Sequence, residues 1–197
     1  MKKITILGII LLALFYTACD DSLLSSKLIV NGNYYPLSVG NWWKYHNENF
    51  INSELDSIHV EIECTVEENE NTWYQFIRND SVFFGRYRYV EGDLFVGKKL
   101  LLKKNIIKGD TWNYEYVINN NVMRTTMRVA DVGIKRVVFG KTYDNVVKIS
   151  HHTINTSEPN DSDIYINDYY YAEGIGWIQS VSQYGILSLI NYHLEEE

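Results

Sequence analysis

Residues 57–66 read Ser-Ile-His-Val-Glu-Ile-Glu-Cys-Thr-Val, and apolar side chains occupy every second position of this stretch. Successive side chains of an extended strand point to opposite faces, so Ile58, Val60 and Ile62 share one face. An aliphatic face opposite a polar one is typical of an antiparallel strand with one side in the core and one in water. The stretch therefore predicts β-structure, and it places Cys64 on the apolar face as a small core residue.

Similar segments recur along the chain from Tyr34 onward. Short runs rich in Val, Ile, Tyr, Phe and Trp alternate with turn residues such as Asn79-Asp80 and Gly140-Lys141. No stretch favours a helix of three turns, and the best candidate for a short helix is 97–107. The sequence predicts an all-β fold, a single antiparallel barrel or strongly curved sandwich. The predicted strands are 42–50, 56–66, 72–79, 81–90, 93–97, 110–118, 122–132, 134–139, 143–153, 163–172, 176–183 and 186–194.

One short motif occurs twice in the predicted β-domain. Residues 40–45 and 109–114 both have the form Gly-[Asn/Asp]-x-Trp-x-Tyr. Glycine followed by Asn or Asp favours a tight turn with positive φ, and a Trp and a Tyr two positions apart point to one face of the outgoing strand. The repeated motif predicts two similarly built halves of the β-domain, and each half begins with an aromatic strand that packs into the core. The candidate ligand-binding residues are Trp43, Tyr45, Trp112 and Tyr114.

The N-terminus has a different composition from the rest of the chain. Lys2 and Lys3 precede an uncharged, mainly apolar run over 4–18, which is too short for the roughly 20 residues that span a bilayer as a helix. A basic start, a short apolar run and a small residue before the cut describe a secretory signal peptide. Residues 14–19, Leu-Phe-Tyr-Thr-Ala-Cys, resemble the lipobox of bacterial lipoproteins, although Tyr16 stands where Leu is usual.

The lipobox resemblance implies both a cellular location and a membrane anchor. It implies a signal peptide over 1–18, diacylglycerol and fatty acyl chains such as palmitate on Cys19, a lipidated tether over 19–33 and an all-β domain over 34–197. Two or more acyl chains anchor a protein stably without a transmembrane helix. The expected location is the bacterial cell envelope, lipid-anchored at the outer membrane and facing the periplasm or the surface. The alternative is a secreted protein without lipid.

Charge and cysteine content exclude some classes of partner and bond. The chain carries a formal net charge of −7, and loss of Lys2 and Lys3 with the signal peptide makes it more acidic. Binding to nucleic acid needs clustered Lys and Arg, so we expect no nucleic-acid partner. Once Cys19 is acylated, Cys64 remains without a partner for an intramolecular disulfide.

Three groups of residues resemble metal-binding or catalytic sites, and for each of them an ordinary structural role is the simpler interpretation. Adjacent side chains of a strand point apart, so His151 and His152 cannot chelate one metal ion. The acidic loop 158–163 offers oxygen ligands for Ca²⁺ but lacks the glycine and terminal glutamate of an EF-hand. Glu61 and Glu63 lie on the face assigned to water, where pairing with Arg86 and Arg88 is expected.

Nucleophile, phosphate-loop and dinucleotide motifs do not occur. We therefore expect no catalytic residue, metal or cofactor, and a protein that is not an enzyme.

The aromatic content stands out, with 5 Trp, 16 Tyr and 7 Phe. Alternation places Trp43 and Tyr45 on one face and Trp42 on the other. It also gives two further sets that share a face, namely Phe83, Tyr87 and Tyr89, and Tyr165, Tyr169 and Tyr171. Much of this content fills the core, and a surplus can line a cavity or form an exposed platform.

Several segments together resemble a loose group of uncharacterised bacterial lipoproteins. They are residues 36–45, 109–112, 142–148 and 170–176, and the resemblance carries no known activity. Two functions follow as hypotheses. The first is a binding or carrier module that holds a small apolar or lipid-like ligand inside the barrel. The second is a structural or interaction lipoprotein that docks a partner protein or a glycan at the envelope through exposed aromatic residues.

Overall fold

The structure, a computed structural model, describes residues 29–30, 33–51, 55–79, 82–157 and 165–195. Every regular element in these ranges is a β-strand, so the all-β prediction is confirmed. The signal peptide, Cys19 and the acidic loop 158–163 lie outside the described residues. The strands are β1 (Ile29–Val30), β2 (Trp42–Asn49), β3 (Leu55–Glu68), β4 (Asn71–Arg78), β5 (Val82–Val90), β6 (Asp93–Val96), β7 (Lys99–Leu102), β8 (Ile106–Ile107), β9 (Thr111–Ile118), β10 (Asn121–Val138), β11 (Lys141–Asn155), β12 (Tyr165–Ala172), β13 (Gly176–Ser182) and β14 (Gly185–His193).

Twelve of the strands form one antiparallel sheet. Its order is β7-β6-β5-β4-β3-β2-β14-β13-β12-β11-β10-β9, and β1 pairs separately with β8. The sheet thus consists of two six-stranded meanders, β2–β7 and β9–β14, joined where β14 pairs with β2. Each meander begins with one copy of the Gly-[Asn/Asp]-x-Trp-x-Tyr motif, as the sequence predicted.

The two motif copies make equivalent backbone contacts. Gly40 N donates to Ile62 O, and Ile62 N donates back to Asn41 O, both at 2.9 Å. The same exchange, also at 2.9 Å, links Gly109 and Asp110 to Val129. The two glycines have φ values of +92° and +91°, a region that residues with a side chain rarely adopt.

The sheet curls into a nearly closed barrel, and side chains bridge the remaining gap. The edge strands β7 and β9 share no backbone ladder. Trp112 Nε1 on β9 instead donates to Leu100 O on β7 at 3.0 Å. Lys99 Nζ on β7 lies 4.5 Å from the ring centre of Tyr116 on β9, close enough for a cation–π contact. These contacts make the barrel, rather than the sandwich, the correct alternative.

The two ends of the barrel differ. Residues 33–41 cross one end, which we call the N-terminal end, where Asn33 O accepts a 2.7 Å hydrogen bond from Gly174 N in the β12–β13 turn. Tyr34 and Tyr35 of this segment are buried. The opposite end, here called the distal end, carries the hairpins β2–β3, β4–β5, β9–β10, β11–β12 and β13–β14, because strands in a meander alternate in direction.

The hairpin formed by β10 and β11 extends beyond the barrel wall and covers part of its outer face. Register shifts between Val129 and Arg136 bend the pair, which is the usual effect of β-bulges. Arg136 then lies 4.0 Å from the ring centre of Tyr170 and donates from Nε to Gln179 Oε1 at 2.9 Å. Tyr170 and Gln179 are therefore buried although they face away from the barrel interior.

Two bulges reverse the predicted facing of individual residues. Ile62 pairs with Phe76 but Cys64 pairs with Gln75, so the bulge places Cys64 on the outer face, half-buried, and its assignment to the core was wrong. A second bulge at Phe84 moves Phe83 to the outer face, away from Tyr87. An inserted residue inverts the alternation from that point onward.

Two element predictions also differ from the structure. The short helix proposed within 97–107 is wrong, because this segment forms β7 and β8. Residues 122–132 and 134–139, predicted as two strands, belong to the single strand β10, since the bulges bend the strand without ending it.

Candidate functional site

The four predicted ligand-binding residues occupy three different environments. Trp43 and Tyr45 lie inside the barrel with no exposed surface. Trp43 Nε1 donates to Ile175 O at 2.6 Å, and Tyr45 Oη donates to Trp177 O at 2.9 Å. Trp112 bridges the edge strands. Tyr114, which is half-buried, lines an interior cavity.

This cavity has a volume of about 240 Å³ and lies in the barrel interior between the two meanders. Its lining is mainly aromatic, and it includes residues from the N-terminal segment and from β5, β7, β9, β11, β12 and β13. The lining residues are Tyr35, Phe84, Tyr87, Leu101, Tyr114, His151, Tyr169, Tyr171 and Trp177.

Tyr35 forms the floor of the cavity. Its ring centre lies 5.2 Å from that of Trp43, 5.7 Å from Phe76, 5.9 Å from Tyr87 and 6.5 Å from Tyr171. A single side chain from outside the twelve-stranded sheet thus packs against rings from four strands and seals the N-terminal end. Aromatic pairs at these separations add stability beyond their buried area.

The mouth of the cavity lies beside the short hairpin β6–β7, where the barrel wall covers the least of the neighbouring strands. Residues 82–85 of β5 have no partner on this side, since the β5–β6 pairing covers 87–90 and Gly97 N donates to Arg86 O at 2.9 Å. β7 is equally short, so this part of β5 and the facing part of β9 are left uncovered. Phe84, the bulged residue, is 38% exposed at this position, and Leu101 and Tyr114 are half-buried beside it. The short hairpin β6–β7 is therefore the reason the interior is accessible.

Two buried polar atoms belong to residues of the cavity wall and lack a hydrogen-bond partner among the described residues. They are Nε2 of His151 and Nε1 of Trp177. Buried polar atoms are nearly always paired in folded proteins, so these two are unsatisfied hydrogen-bonding groups within residues that line the cavity. The His151 ring lies 4.2 Å from that of Tyr169, which fixes its position in the wall.

The cavity is electrically neutral at physiological pH. Burial lowers the pKa of His151 to about 4, despite the opposing influence of Asp168, so the imidazole carries no charge at pH 7. Burial also raises the pKa of Tyr87, Tyr169 and Tyr171, which keeps their hydroxyls protonated. None of the residues that line the cavity is Asp, Glu, Lys or Arg.

The other candidate groups lie apart from the cavity. The two adjacent histidines face opposite sides of β11, as predicted, with His151 inside. Glu61 contacts His59 at 3.4 Å, and Glu63 accepts a 3.0 Å hydrogen bond from Gln75. Arg86, expected beside these carboxylates, instead pairs with Glu68. Within the described ranges, His, Cys, Asp and Glu side chains form no group of three that could hold a metal ion.

The sequence identifies Tyr87, Tyr114 and the shared face of Tyr169 and Tyr171, but it does not identify Tyr35, Phe84, Leu101 or Trp177. Tyr35 was overlooked because it precedes the first strand of the sheet and belongs to no periodic pattern. Alternation rejects His151 as a metal ligand and predicts an ordinary strand residue opposite His152, but it gives no sign that the imidazole lines a cavity. An adjacent Tyr34-Tyr35 pair before a Pro was the available signal for a docked aromatic segment.

Comparison with known proteins adds little to this geometry. No protein-family model matches the chain, and no curated protein matches it. Two solved structures resemble it at a TM-score of 0.44 over 83% of this chain and 100% of theirs. One is a putative lipoprotein from Parabacteroides distasonis at 10% identity, and the other is a putative exported protein with a YmcC-like fold from Bacteroides fragilis at 11% identity. A TM-score at this level is too low to transfer a function. In the described part of the chain, no helix has the length and apolar character to cross a bilayer.

Proposed function

We propose that this protein is an envelope lipoprotein whose barrel binds a small, uncharged, ring-containing molecule in the interior cavity. The observation that supports the proposal best is the aromatic cavity itself, with its neutral wall and the two unpaired polar atoms of His151 and Trp177. Ligand sites are typically apolar concave spaces with a few polar groups that fix orientation.

The cavity volume limits the size of the ligand. Drug-sized molecules occupy pockets of roughly 300–1,000 Å³, whereas benzene fits an engineered cavity of about 150 Å³. At about 240 Å³, this cavity suits a molecule of one or two rings. A long acyl chain would need more space, so the lipid-like ligand considered from sequence is the less suitable occupant.

The wall chemistry limits the polarity of the ligand. A charged group would lose its hydration in the cavity without gaining an ionic partner, which is costly. Trp177 Nε1–H can only donate a hydrogen bond, and neutral His151 can donate or accept through its ring nitrogens. A phenol or a similar hydroxyl-bearing ring satisfies both requirements.

The cavity offers binding chemistry rather than the usual groups for catalysis. Of its lining residues only His151 is a common acid–base group, and it has no carboxylate partner in the wall. Burial holds its pKa far below neutrality, where it is a weak base. We therefore propose a non-catalytic role.

The proposed anchor sets the orientation of the cavity. Lipidation of Cys19, supported by the lipobox-like stretch 14–19, would tie the chain to the membrane through residues that lead into Asn33. Asn33 lies at the N-terminal end, held by Gly174 and by the hydroxyl of Tyr89 at 2.7 Å. Phe84, at the mouth, lies near the distal end of β5. The cavity would thus face away from the anchoring membrane.

The proposal is tested by titrating the folded domain with neutral and anionic forms of the same ring system. By isothermal titration calorimetry, we expect 1-naphthol to bind at least tenfold more tightly than 1-naphthoate. Leu101→Trp, which fills the mouth, should abolish binding. Val137→Trp on the exposed β10 surface is the matched control and should leave it unchanged.

Two outcomes would overturn the proposal. One is that neither compound binds. The other is that Leu101→Trp, shown to be folded by circular dichroism, binds 1-naphthol like the wild type. If Leu101→Trp does not fold, Phe84→Ala serves instead. It widens the mouth, and we expect faster association of 1-naphthol, so an unchanged association rate would then contradict the assigned entrance.

The second candidate function, docking of an envelope partner protein, is favoured by a different observation. Large apolar residues are exposed in and beside the hairpins of the distal end, where they would face away from the membrane. A partner protein that covers them would reduce this exposed apolar area. The residues are Phe50, Ile51, Phe83, Val117, Ile118, Tyr165, Ile166 and Tyr184. Substituting Phe50, Ile51 and Ile118 by Ser should then abolish co-purification of that partner from crosslinked envelopes while 1-naphthol binding persists.

A further inference from the structure

A second aromatic and polar region lies on the outer face of β4, β5 and β6, near the N-terminal end. The guanidinium of Arg88 lies over the indole of Trp73, with 4.3 Å between Cζ and the ring centre. On its other side, Arg88 pairs in register with Phe95 of β6. Both neighbours of this cation on the sheet surface are thus aromatic.

Among the described residues, Arg88 has no anionic partner, in contrast to its neighbour Arg86. Arg86, two positions earlier on the same face, contacts Glu68 at 3.2 Å. Among the described residues, no carboxylate lies within ion-pair distance of Arg88, and its Nε is buried without a hydrogen-bond partner.

Two surface clefts meet at Arg88. One, of about 400 Å³, is lined by Trp73, Phe95 and Lys98 together with Asn69 and Asn71 of the β3–β4 turn region. The other, of about 420 Å³, has Thr72, Tyr74 and Tyr89 in its wall and shares Arg88 and Asn71 with the first. Together they form a continuous set of amide, hydroxyl and aromatic groups around one positive charge.

We propose that these two clefts bind a carboxylate-bearing sugar, with Arg88 as the carboxylate-binding residue. A guanidinium stacked on an indole keeps its N–H edge free for a bidentate contact with a carboxylate. Asn69, Asn71 and Thr72 provide hydrogen-bond partners for sugar hydroxyls. The Trp73 and Phe95 rings provide apolar surface for the C–H faces of a pyranose, and Tyr89, which faces the barrel interior, borders the second cleft at the N-terminal rim.

The charges in the two clefts define the orientation of the sugar. Lys98 adds a second positive charge to the first cleft, and Glu68 in that cleft is already paired with Arg86. Glu70 lines the second cleft and would repel an anion there. The carboxylate therefore lies at Arg88 on the Lys98 side, and the uncharged part of the saccharide extends toward Tyr89.

This site is independent of the interior cavity. The two clefts share no lining residue with the cavity. The first cleft lies on the outer face of the barrel wall, and the second lies at its N-terminal rim, where Tyr74 and Tyr89 face inward. Loss of 1-naphthol binding would leave the sugar proposal unaffected, and loss of sugar binding would leave the cavity proposal unaffected.

The test is a ¹H–¹⁵N NMR titration with glucuronate, glucose and inorganic phosphate. We expect glucuronate to shift the Trp73 indole N–H signal, which is identified by its absence in Trp73→Phe. Because the site is exposed to solvent, a single sugar should bind with a dissociation constant in the millimolar range. Glucose, which lacks the carboxylate, and phosphate, which lacks the ring, should each bind at least tenfold more weakly.

The matched variants separate a binding role from a structural one. Arg88→Gln should weaken glucuronate binding at least tenfold and leave glucose unchanged. Arg124→Gln, which removes an arginine paired with Glu115 at 2.8 Å elsewhere on the surface, should have no effect. If Arg88→Gln does not fold, Arg88→Lys is used, and its loss of the bidentate contact should weaken binding at least threefold.

Three results would overturn the proposal. They are equal binding of glucose and glucuronate, binding of phosphate as tightly as glucuronate, and unchanged glucuronate binding in the folded Arg88 variant. The second result would indicate a general anion site without recognition of a sugar.

Discussion

Trp112 Nε1 donates a 3.0 Å hydrogen bond to Leu100 O, and this contact joins the two strands at which the twelve-stranded sheet ends. The carbonyl of Leu100 belongs to an edge strand, where unpaired backbone groups are otherwise a liability. A tryptophan side chain therefore closes the barrel where the backbone ladder does not. The same tryptophan belongs to the second copy of the repeated motif.

Trp112→Phe should loosen this closure. It keeps an aromatic ring but leaves the Leu100 carbonyl without its donor, which we expect to lower the free energy of unfolding by about 1–2 kcal/mol. Urea unfolding measures the loss, and amide exchange should accelerate mainly in β6 and β7. Trp42→Phe on the outer face is the control. If both variants lose the same stability and exchange uniformly, the hydrogen bond does not close the barrel.

Gly109→Ala should measure the cost of the turn that opens the second meander. A Cβ at Gly109 meets no atom within 4 Å, so the strain comes only from its φ of +91°. We expect a loss of about 1–2 kcal/mol in urea unfolding. Gly40→Ala should cost a similar amount, because its Cβ would meet only the flexible side chain of Glu195.

Gly97→Ala is the matched control for these glycines. Its site is equally open, but its φ of +56° lies in the left-handed region that other residues tolerate better. A smaller loss at Gly97 than at Gly109 is expected. The reverse order would show that the turn at Gly109 relaxes and that its glycine is dispensable.

Tyr34→Phe and Tyr45→Phe should have opposite effects on stability. The Tyr34 hydroxyl is buried with no partner among the described residues, so its removal should be neutral or stabilising by up to about 1 kcal/mol. The Tyr45 hydroxyl donates to Trp177 O at 2.9 Å, so its removal should cost about 1 kcal/mol. Thermal and urea unfolding of both variants provide the comparison, and equal losses would contradict the hydrogen-bond assignment.

His151 should make the protein less stable in acid. Its pKa is about 4 in the folded state and near 6.5 when unfolded, so the unfolded state binds more protons between these values. Stability is then full above pH 6.5 and falls as the pH drops toward 4, by about 3 kcal/mol in all. Urea unfolding at pH 7, 5.5 and 4 measures this slope.

His151→Phe isolates the contribution of this residue. The variant keeps a ring against Tyr169 and should lose about 3 kcal/mol of the acid sensitivity, while the carboxylates elsewhere continue to contribute theirs. If the free energy of unfolding of His151→Phe depends on pH as it does in the wild type, the imidazole is hydrated in the folded state. Water then reaches the cavity wall at this position.

The strands, and the direction in which most of their side chains point, follow from the amino-acid sequence alone. Alternation correctly placed Trp43 and Tyr45 inside and His152 opposite His151, because side-chain direction in a regular strand depends only on position. The repeated motif also predicted the two meanders, since a glycine with positive φ and an aromatic pair are local features. These properties need no knowledge of distant contacts.

The position of the cavity and the identity of its lining residues depend on how the strands assemble in three dimensions. Bulges at residues 63 and 84 reversed Cys64 and Phe83, and one inserted residue leaves no mark on composition or periodicity. Tyr35 became the floor, and the short β6–β7 hairpin became the mouth, through the closure of a twelve-stranded sheet. The pairing of β14 with β2 joins residues more than a hundred positions apart, such as Tyr45 and Trp177, and the pattern along a single strand does not contain that information.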